Sequence, residues 1–122
     1  MCYGTIVPFI HPEIITNSPY SALQIFAEWA HRGLAMIVGL LIISTALVAW
    51  YTRESSIVRG SAVFAALLLP VQVVLGGLTV TQSLEPVIVT SHLATATLIL
   101  VALTASTVVS WSALDSKNSV SR

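Results

Sequence analysis

The sequence predicts an all-α membrane protein with three transmembrane helices. Only 8% of its 122 residues are charged, whereas 56% are hydrophobic. Soluble domains carry about 25% charged residues, so a surface with so few charges must largely face lipid. Three apolar stretches also approach the roughly 20 residues that cross a bilayer; they lie at about 29–51, 60–80 and 87–111. The net charge is zero, which gives no indication of nucleic-acid binding.

The segments between and around these stretches complete the predicted organisation. Residues 1–21, with three prolines, are interpreted as an extracytoplasmic loop or surface segment. Pro70 lies inside the second stretch, where a proline should kink a helix, and Pro86 suits the first turn of the third helix. Residues 22–111 are therefore predicted to form one transmembrane helical domain, followed by a polar tail at 112–122.

Two histidines are predicted to lie at the same depth in the membrane. His31 precedes Trp50 by nineteen positions, and His92 precedes Trp111 by nineteen positions. At 1.5 Å per residue, each histidine lies about 28 Å outward from a tryptophan that marks the inner interface. Because these two helices run in the same direction, the histidines can clamp one flat macrocycle such as haem, whose iron accepts axial imidazoles.

Other interpretations of these residues remain open at this stage. A single histidine near an interface is often a hydrogen-bonded packing residue, and a zinc or copper site would find a third ligand only in Glu28, three positions before His31. Glu28 and Arg32 are four positions apart and can form an interfacial ion pair. Alternatively, Glu28 moves protons beside the histidine pocket, and Arg32 binds a haem propionate.

The second stretch carries further polar and small residues. Gln72 is a polar residue at a depth where such side chains face the interior of a helix bundle, and helix hydrogen bonding is its favoured role. Gly76 and Gly77 indicate a close approach of the backbone to a neighbour or a ligand, or helix packing alone.

Three segments of the chain resemble the haem A synthase family. The segment EWAHR, Glu28–Arg32, resembles the family's E-x-x-H-R element. Gln72–Val80 resembles its glycine-containing third helix, and His92–Ala96 resembles the start of its fourth helix. The resemblance covers about residues 2–106, and the three elements occur in the family's order and spacing.

The resemblance implies a fold, a reaction and a set of site residues. The three helices would correspond to helices two to four of a four-helix haem-binding half-bundle. The family's reaction oxidises a ring methyl of haem O to a formyl, giving haem A for terminal oxidases. His31 and His92 would be the axial ligands of the haem iron, with haem b as cofactor and haem O as substrate. Glu28 matches the glutamate proposed to act in catalysis, and Cys2 resembles the second cysteine of the family's outer loop.

Full-length members contain two similar halves, whereas this chain matches one half without its first helix and first loop cysteine. We therefore expect a half-size or N-terminally truncated member that acts as a homo-oligomer in the lipid bilayer. Haem O synthase and an electron donor are its candidate partners. A bis-histidine b-type cytochrome or haem carrier without oxygenase-type chemistry is the alternative, and a membrane subunit whose histidines only pack is the third hypothesis.

The basic residues predict the orientation of this multi-pass protein in the cell membrane. Arg53 and Arg59 lie in the first loop, and Lys117 and Arg122 lie in the tail on the same side, whereas only Arg32 lies opposite. The positive-inside rule therefore places the C-terminus in the cytoplasm. A reporter fused after Arg122 should show cytoplasmic-type activity, and strong periplasmic-type activity would reverse the predicted topology.

Overall fold

The computed structural model describes residues 21–52, 54–81 and 84–120, and these residues form three α-helices. In chain order these are α1 (Ala22–Tyr51), α2 (Ser56–Thr81) and α3 (Pro86–Val120). Each helix is long and apolar enough to cross a membrane. The predicted class, an all-α protein with three membrane-spanning helices, is confirmed. Residues 1–20, which hold most of the predicted surface segment, lie outside the described residues.

The helices begin where local side chains can satisfy their first backbone N–H groups. The Ser21 hydroxyl accepts a hydrogen bond from the Gln24 N–H at 3.3 Å, and the Ser21 N–H donates to Gln24 Oε1 at 2.9 Å. This reciprocal arrangement is a capping box. The Ser55 hydroxyl accepts the Val58 N–H at 3.4 Å at the start of α2. At α3, Pro86 occupies the first helical position, where its missing N–H costs nothing.

Two helices continue through sequence features that could have interrupted them, a proline in α2 and a polar segment in α3. α2 continues through Pro70, although proline cannot donate the backbone hydrogen bond that this position would normally make. α3 continues past Trp111 to Val120, so most of the polar segment that begins at residue 112 is helical. The Leu84 N–H bonds to the carbonyl of Thr79 at 3.0 Å and satisfies one of the carbonyls that the end of α2 leaves free.

The described residues divide into two compact units, one that ends at residue 38 and one that begins at residue 39. In the second unit, α2 packs against α3 through small side chains. Ala62 and Ala65 are completely buried, and Ala102 is 7% exposed. Two buried clusters form this core: Ile42, Ala65, Ile99 and Ala102; and Ala46, Ala49, Val58 and Ala62. Small residues are common where transmembrane helices approach closely, because lipid provides no hydrophobic force between helices and packing must supply the attraction.

A pair of serines links α2 to α3 within this core. Ser61 and Ser106 share a hydrogen bond of 2.6 Å between their hydroxyl oxygens. Ser106 is 5% exposed and also lies 3.2 Å from the Ala102 carbonyl oxygen. A polar group buried in an apolar environment is costly unless it is hydrogen-bonded, so this contact favours one register of α2 against α3.

Large apolar side chains cover the outside of the helices, as expected for surfaces that contact lipid. Leu40, Leu67 and Leu100 are each more than 60% exposed. Arg59 lies in α2 and not in the loop expected from the sequence, and its guanidinium lies 5.4 Å from the centroid of the Trp50 ring near the end of α1. A tryptophan beside an arginine is typical of a membrane interface, which agrees with the interfacial role predicted for Trp50.

Candidate functional site

His92 lies in the second turn of α3 with its ring against α2. Its Nε2 atom is 3.4 Å from Nε2 of Gln72, the polar residue inside the second span. Both side chains are partly buried. A neutral imidazole carries one N–H and one lone pair, so the direction of this hydrogen bond depends on which ring nitrogen is protonated.

Two polar atoms of this pair have no partner among the residues that the structure describes. They are Nδ1 of His92 and Oε1 of Gln72, and both are buried. Most buried polar side-chain atoms in proteins are hydrogen-bonded, so an unpaired ring nitrogen calls for an explanation. A nitrogen that binds a ligand or a metal has this character, because its partner is not part of the protein.

Gly76 provides the space beside the His92 ring. A Cβ atom at Gly76 would lie 3.1 Å from Cε1 and 3.7 Å from Nδ1 of His92. At Gly77, by contrast, no described atom lies within 4 Å of the equivalent position. The close approach predicted for this pair of glycines is therefore present at Gly76 alone, and the neighbour is the proposed haem ligand.

This contact was not predicted from the sequence, although a signal for it was present. Gln72 and Gly76 are four residues apart and share one face of α2. Gly76 lies five residues before the end of α2, and His92 lies six residues after the start of α3. In an antiparallel helix pair joined by a short loop, such positions are nearly level. A comparison of the depths of residues on the second and third spans would therefore have predicted that Gln72 and Gly76 lie close to His92.

The first unit contains the other predicted site residues, all on α1. Arg32 Nη2 lies 2.8 Å from Glu28 Oε1, and the two side chains are 40% and 42% exposed. The predicted ion pair is therefore present. Exposed ion pairs contribute about 0–1 kcal/mol, so a competing anion can separate this pair at little cost. His31 is exposed one turn after Glu28.

The described residues fit haem better than a metal ion held by several side chains. Within the described ranges, no group of three His, Cys, Asp or Glu side chains could hold a metal ion. Haem needs only axial side-chain ligands, because the porphyrin supplies the other donors. The unpaired nitrogen of His92 fits a ligand of haem iron, and Gly76 lets the ring lie against α2. The pairing of His92 with His31 stays a prediction, since each lies in a different unit.

The fold and these residues define a multi-pass membrane protein with a candidate haem-ligand site. Residues 2–121 match the family model of the cytochrome oxidase assembly proteins, COX15-CtaA. The chain belongs to this family, which is the haem A synthase family. Membership confirms the family resemblance of the three motifs and connects the chain with cytochrome oxidase assembly.

Individual relatives match shorter parts of the chain. Protoheme IX farnesyltransferases from two strains of Halobacterium salinarum are each 39% identical over 66 residues, which is 52% of this chain and 15% or 14% of theirs. Protoheme IX farnesyltransferase 1 of Natronomonas pharaonis is 47% identical over 53 residues, covering 43% of this chain and 12% of its own. The matched part thus spans no more than 15% of these relatives. No solved structure matches the chain.

Replacing Gly76 by alanine should displace the His92 ring, because the new Cβ would lie only 3.1 Å from Cε1. Gly77→Ala is the matched control, with the same added methyl group, the same gain in helix propensity of about 1 kcal/mol and no described neighbour within 4 Å. NMR of protein labelled with ¹⁵N-histidine, with His92 assigned by its own substitution, should show shifted ring signals only for Gly76→Ala. Unchanged His92 signals in both variants would contradict the close approach.

Proposed function

We propose that this chain is a half-size haem A synthase that acts as a homo-oligomer and oxidises the ring methyl of haem O to a formyl. The observation that carries the proposal is His92, whose buried Nδ1 lacks a described partner beside the space at Gly76. This arrangement occurs in a chain of the haem A synthase family. A packing histidine would be expected to have both ring nitrogens hydrogen-bonded or exposed to solvent.

His31 and His92 would hold haem b as its two axial ligands. Each would contribute one imidazole nitrogen, and the identity of the side-chain ligands sets the reduction potential of haem iron. When bound, haem supplies the redox chemistry of the site. Arg32 would bind a haem propionate, since a guanidinium pairs well with a carboxylate, and its present partner Glu28 is held only by a partly exposed contact.

Glu28 would act as the catalytic acid–base residue. Conversion of a methyl to a formyl requires proton transfers at the reacting carbon and its oxygen substituent, and a carboxylate one turn from His31 is able to take part in them. Glu28 is partly exposed, and its partner among the described residues is Arg32. It therefore remains accessible to water or substrate, which a general base requires.

The relatives support the choice of substrate. They are named for transferring a farnesyl group to protohaem, and this chain is similar to a part of each. A chain similar to a part of such proteins is suited to act on farnesylated haem, which is haem O. The same similarity makes a haem O synthase the favoured partner, in addition to an electron donor.

A second candidate function is a bis-histidine b-type cytochrome or haem carrier. The observation that favours it is the existing ion pair between Glu28 and Arg32. If this pair is only an interfacial contact, the histidines would bind haem without a nearby catalytic group. In either function we propose a multi-pass protein of the cell membrane with a cytoplasmic C-terminus, which agrees with the position of Arg59 beside Trp50.

Removing either proposed axial ligand should abolish low-spin haem binding, because each histidine closes one side of the iron. We expect His31→Ala and His92→Ala to lose the low-spin spectrum of the purified full chain. His11→Ala is the control and should retain it, because His11 belongs to the segment 1–21, which the sequence predicts to be a loop or surface segment. Haem content is measured by the pyridine haemochrome method. Wild-type haem content together with a low-spin spectrum in both ligand variants would show that the axial assignment is wrong.

Glu28→Gln should keep haem but lose haem A formation, because it removes the carboxylate without changing either histidine. General acid–base groups typically contribute about 10²–10⁴-fold to a rate, so the loss should be large. Glu54→Gln is the control, since Glu54 is an exposed residue in the loop between α1 and α2.

The assay uses an oligomer with filled haem sites and separates haem O from haem A by chromatography. If Glu28 forms only an exposed ion pair, worth about 0–1 kcal/mol, conversion should be nearly normal. Near-normal conversion by Glu28→Gln would therefore favour the cytochrome function.

A further inference from the structure

Gln72 contacts His92 in a part of the protein where polar contacts are scarce. Gln72 lies inside the apolar span of α2, and its amide faces the ring nitrogen Nε2 at 3.4 Å. Exposing an amide to an apolar environment is costly, which explains why Gln72 faces the neighbouring helix. That alone would not explain why the contact is made to the proposed haem ligand.

We propose that Gln72 is the positioning residue for His92: its amide oxygen accepts the proton of one ring nitrogen and leaves the other nitrogen bare for haem iron. This role rests on the proposed function, because it concerns His92 as an axial ligand. Histidines that bind metals commonly donate their other N–H to a protein acceptor, which orients the ring and makes the ligand more basic.

The two ends of the Gln72 amide have different consequences for ligation. If its NH₂ group donates to Nε2, the ring proton must be on Nδ1, and neither nitrogen is then free to bind a metal. If the amide is turned so that Oε1 accepts the Nε2–H, the lone pair on Nδ1 remains free. The two orientations have almost the same shape, and both Oε1 and Nδ1 lack described partners. Only the second orientation is compatible with ligation by His92.

Gly76 also contributes to the position of the His92 ring. It lies one turn after Gln72 on the same face of α2, and a Cβ there would come within 3.1 Å of the His92 ring. Gln72 therefore orients the ring by a hydrogen bond at Nε2, while the missing side chain of Gly76 lets the ring pack against the backbone of α2. A larger residue at 76 would push the ring away from the amide.

The alternative is that the contact between Gln72 and His92 only holds α2 against α3. A second polar contact between the same helices allows this alternative to be tested. Ser61 and Ser106 form another hydrogen bond between α2 and α3, at 2.6 Å, in the buried core. Breaking that bond weakens the same helix pair without touching His92. Ser61→Ala is therefore the matched control for substitutions at Gln72.

The experiment measures haem affinity and the reduction potential of bound haem in the full chain. Gln72→Leu removes the acceptor at similar size, and Gln72→Glu retains an acceptor oxygen at the same length. Outer-shell partners of metal ligands typically contribute about 10–100-fold to affinity, so Gln72→Leu should weaken haem binding by that factor. A more basic ligand stabilises oxidised iron, so the potential should rise in Gln72→Leu and fall in Gln72→Glu. Ser61→Ala should retain wild-type values for both.

Several results would overturn this role. Wild-type affinity and potential in Gln72→Leu would show that the amide does not act on His92. Equal changes in Gln72→Leu and Ser61→Ala would show that Gln72 acts only through helix packing. If Gln72→Leu does not accumulate in the membrane, Gln72→Asn tests the same contact, because it keeps the amide but shortens its reach, and it should change the affinity and potential in the direction expected for Gln72→Leu.

The same measurements separate this role from the proposed function. A wild-type chain that binds no haem would overturn the proposed function, and the role of Gln72 with it. A wild-type chain that binds low-spin haem, combined with an unchanged Gln72→Leu variant, would overturn only the role of Gln72.

Discussion

The close approach of α2 to α3 is the constraint on which the described site depends. Ala62 and Ala65 are completely buried between the helices, and small side chains of this kind allow backbones to approach closely where lipid supplies no hydrophobic force. Further along α2, the backbone lies so close to the His92 ring that a side chain would not fit between them. The residue at this position is Gly76. The packing of the core and the geometry of the site are therefore one structural feature.

Two polar contacts join these helices, and they differ in how completely they are satisfied. Ser61 and Ser106 bond to each other, and Ser106 also bonds to backbone carbonyls. Gln72 and His92 share one longer contact and leave two buried atoms without a described partner. A fully satisfied buried network stabilises one arrangement of a core. Most buried polar atoms in proteins are hydrogen-bonded, so the two unpaired atoms of this contact are the observation that supports the proposed role of His92.

Much of the fold and part of the site could be predicted from local sequence patterns. Three apolar stretches predict three helices, because in lipid the backbone must satisfy its own hydrogen bonds and a helix does so within one segment. The spacing of four between Glu28 and Arg32 predicts their ion pair, because such residues share a helix face. The glycines at positions 76 and 77 predict a close approach of the backbone to a neighbour or a ligand. By contrast, helical structure through the polar segment after Trp111 could not be read from hydropathy, which measures lipid compatibility rather than helix formation.

By itself, the sequence determined the membrane class, the three helices, the family motifs and the identity of the candidate ligands. Only the tertiary structure decided that Gln72 is the partner of His92, that Gly76 rather than Gly77 lies against its ring, and that Ser61 meets Ser106. The physical reason is rotation about the helix axis. Successive residues differ by about 100° around an α-helix, so neighbouring glycines face different directions. Which of them meets the next helix depends on packing between residues far apart in the chain, and local sequence patterns do not specify that packing.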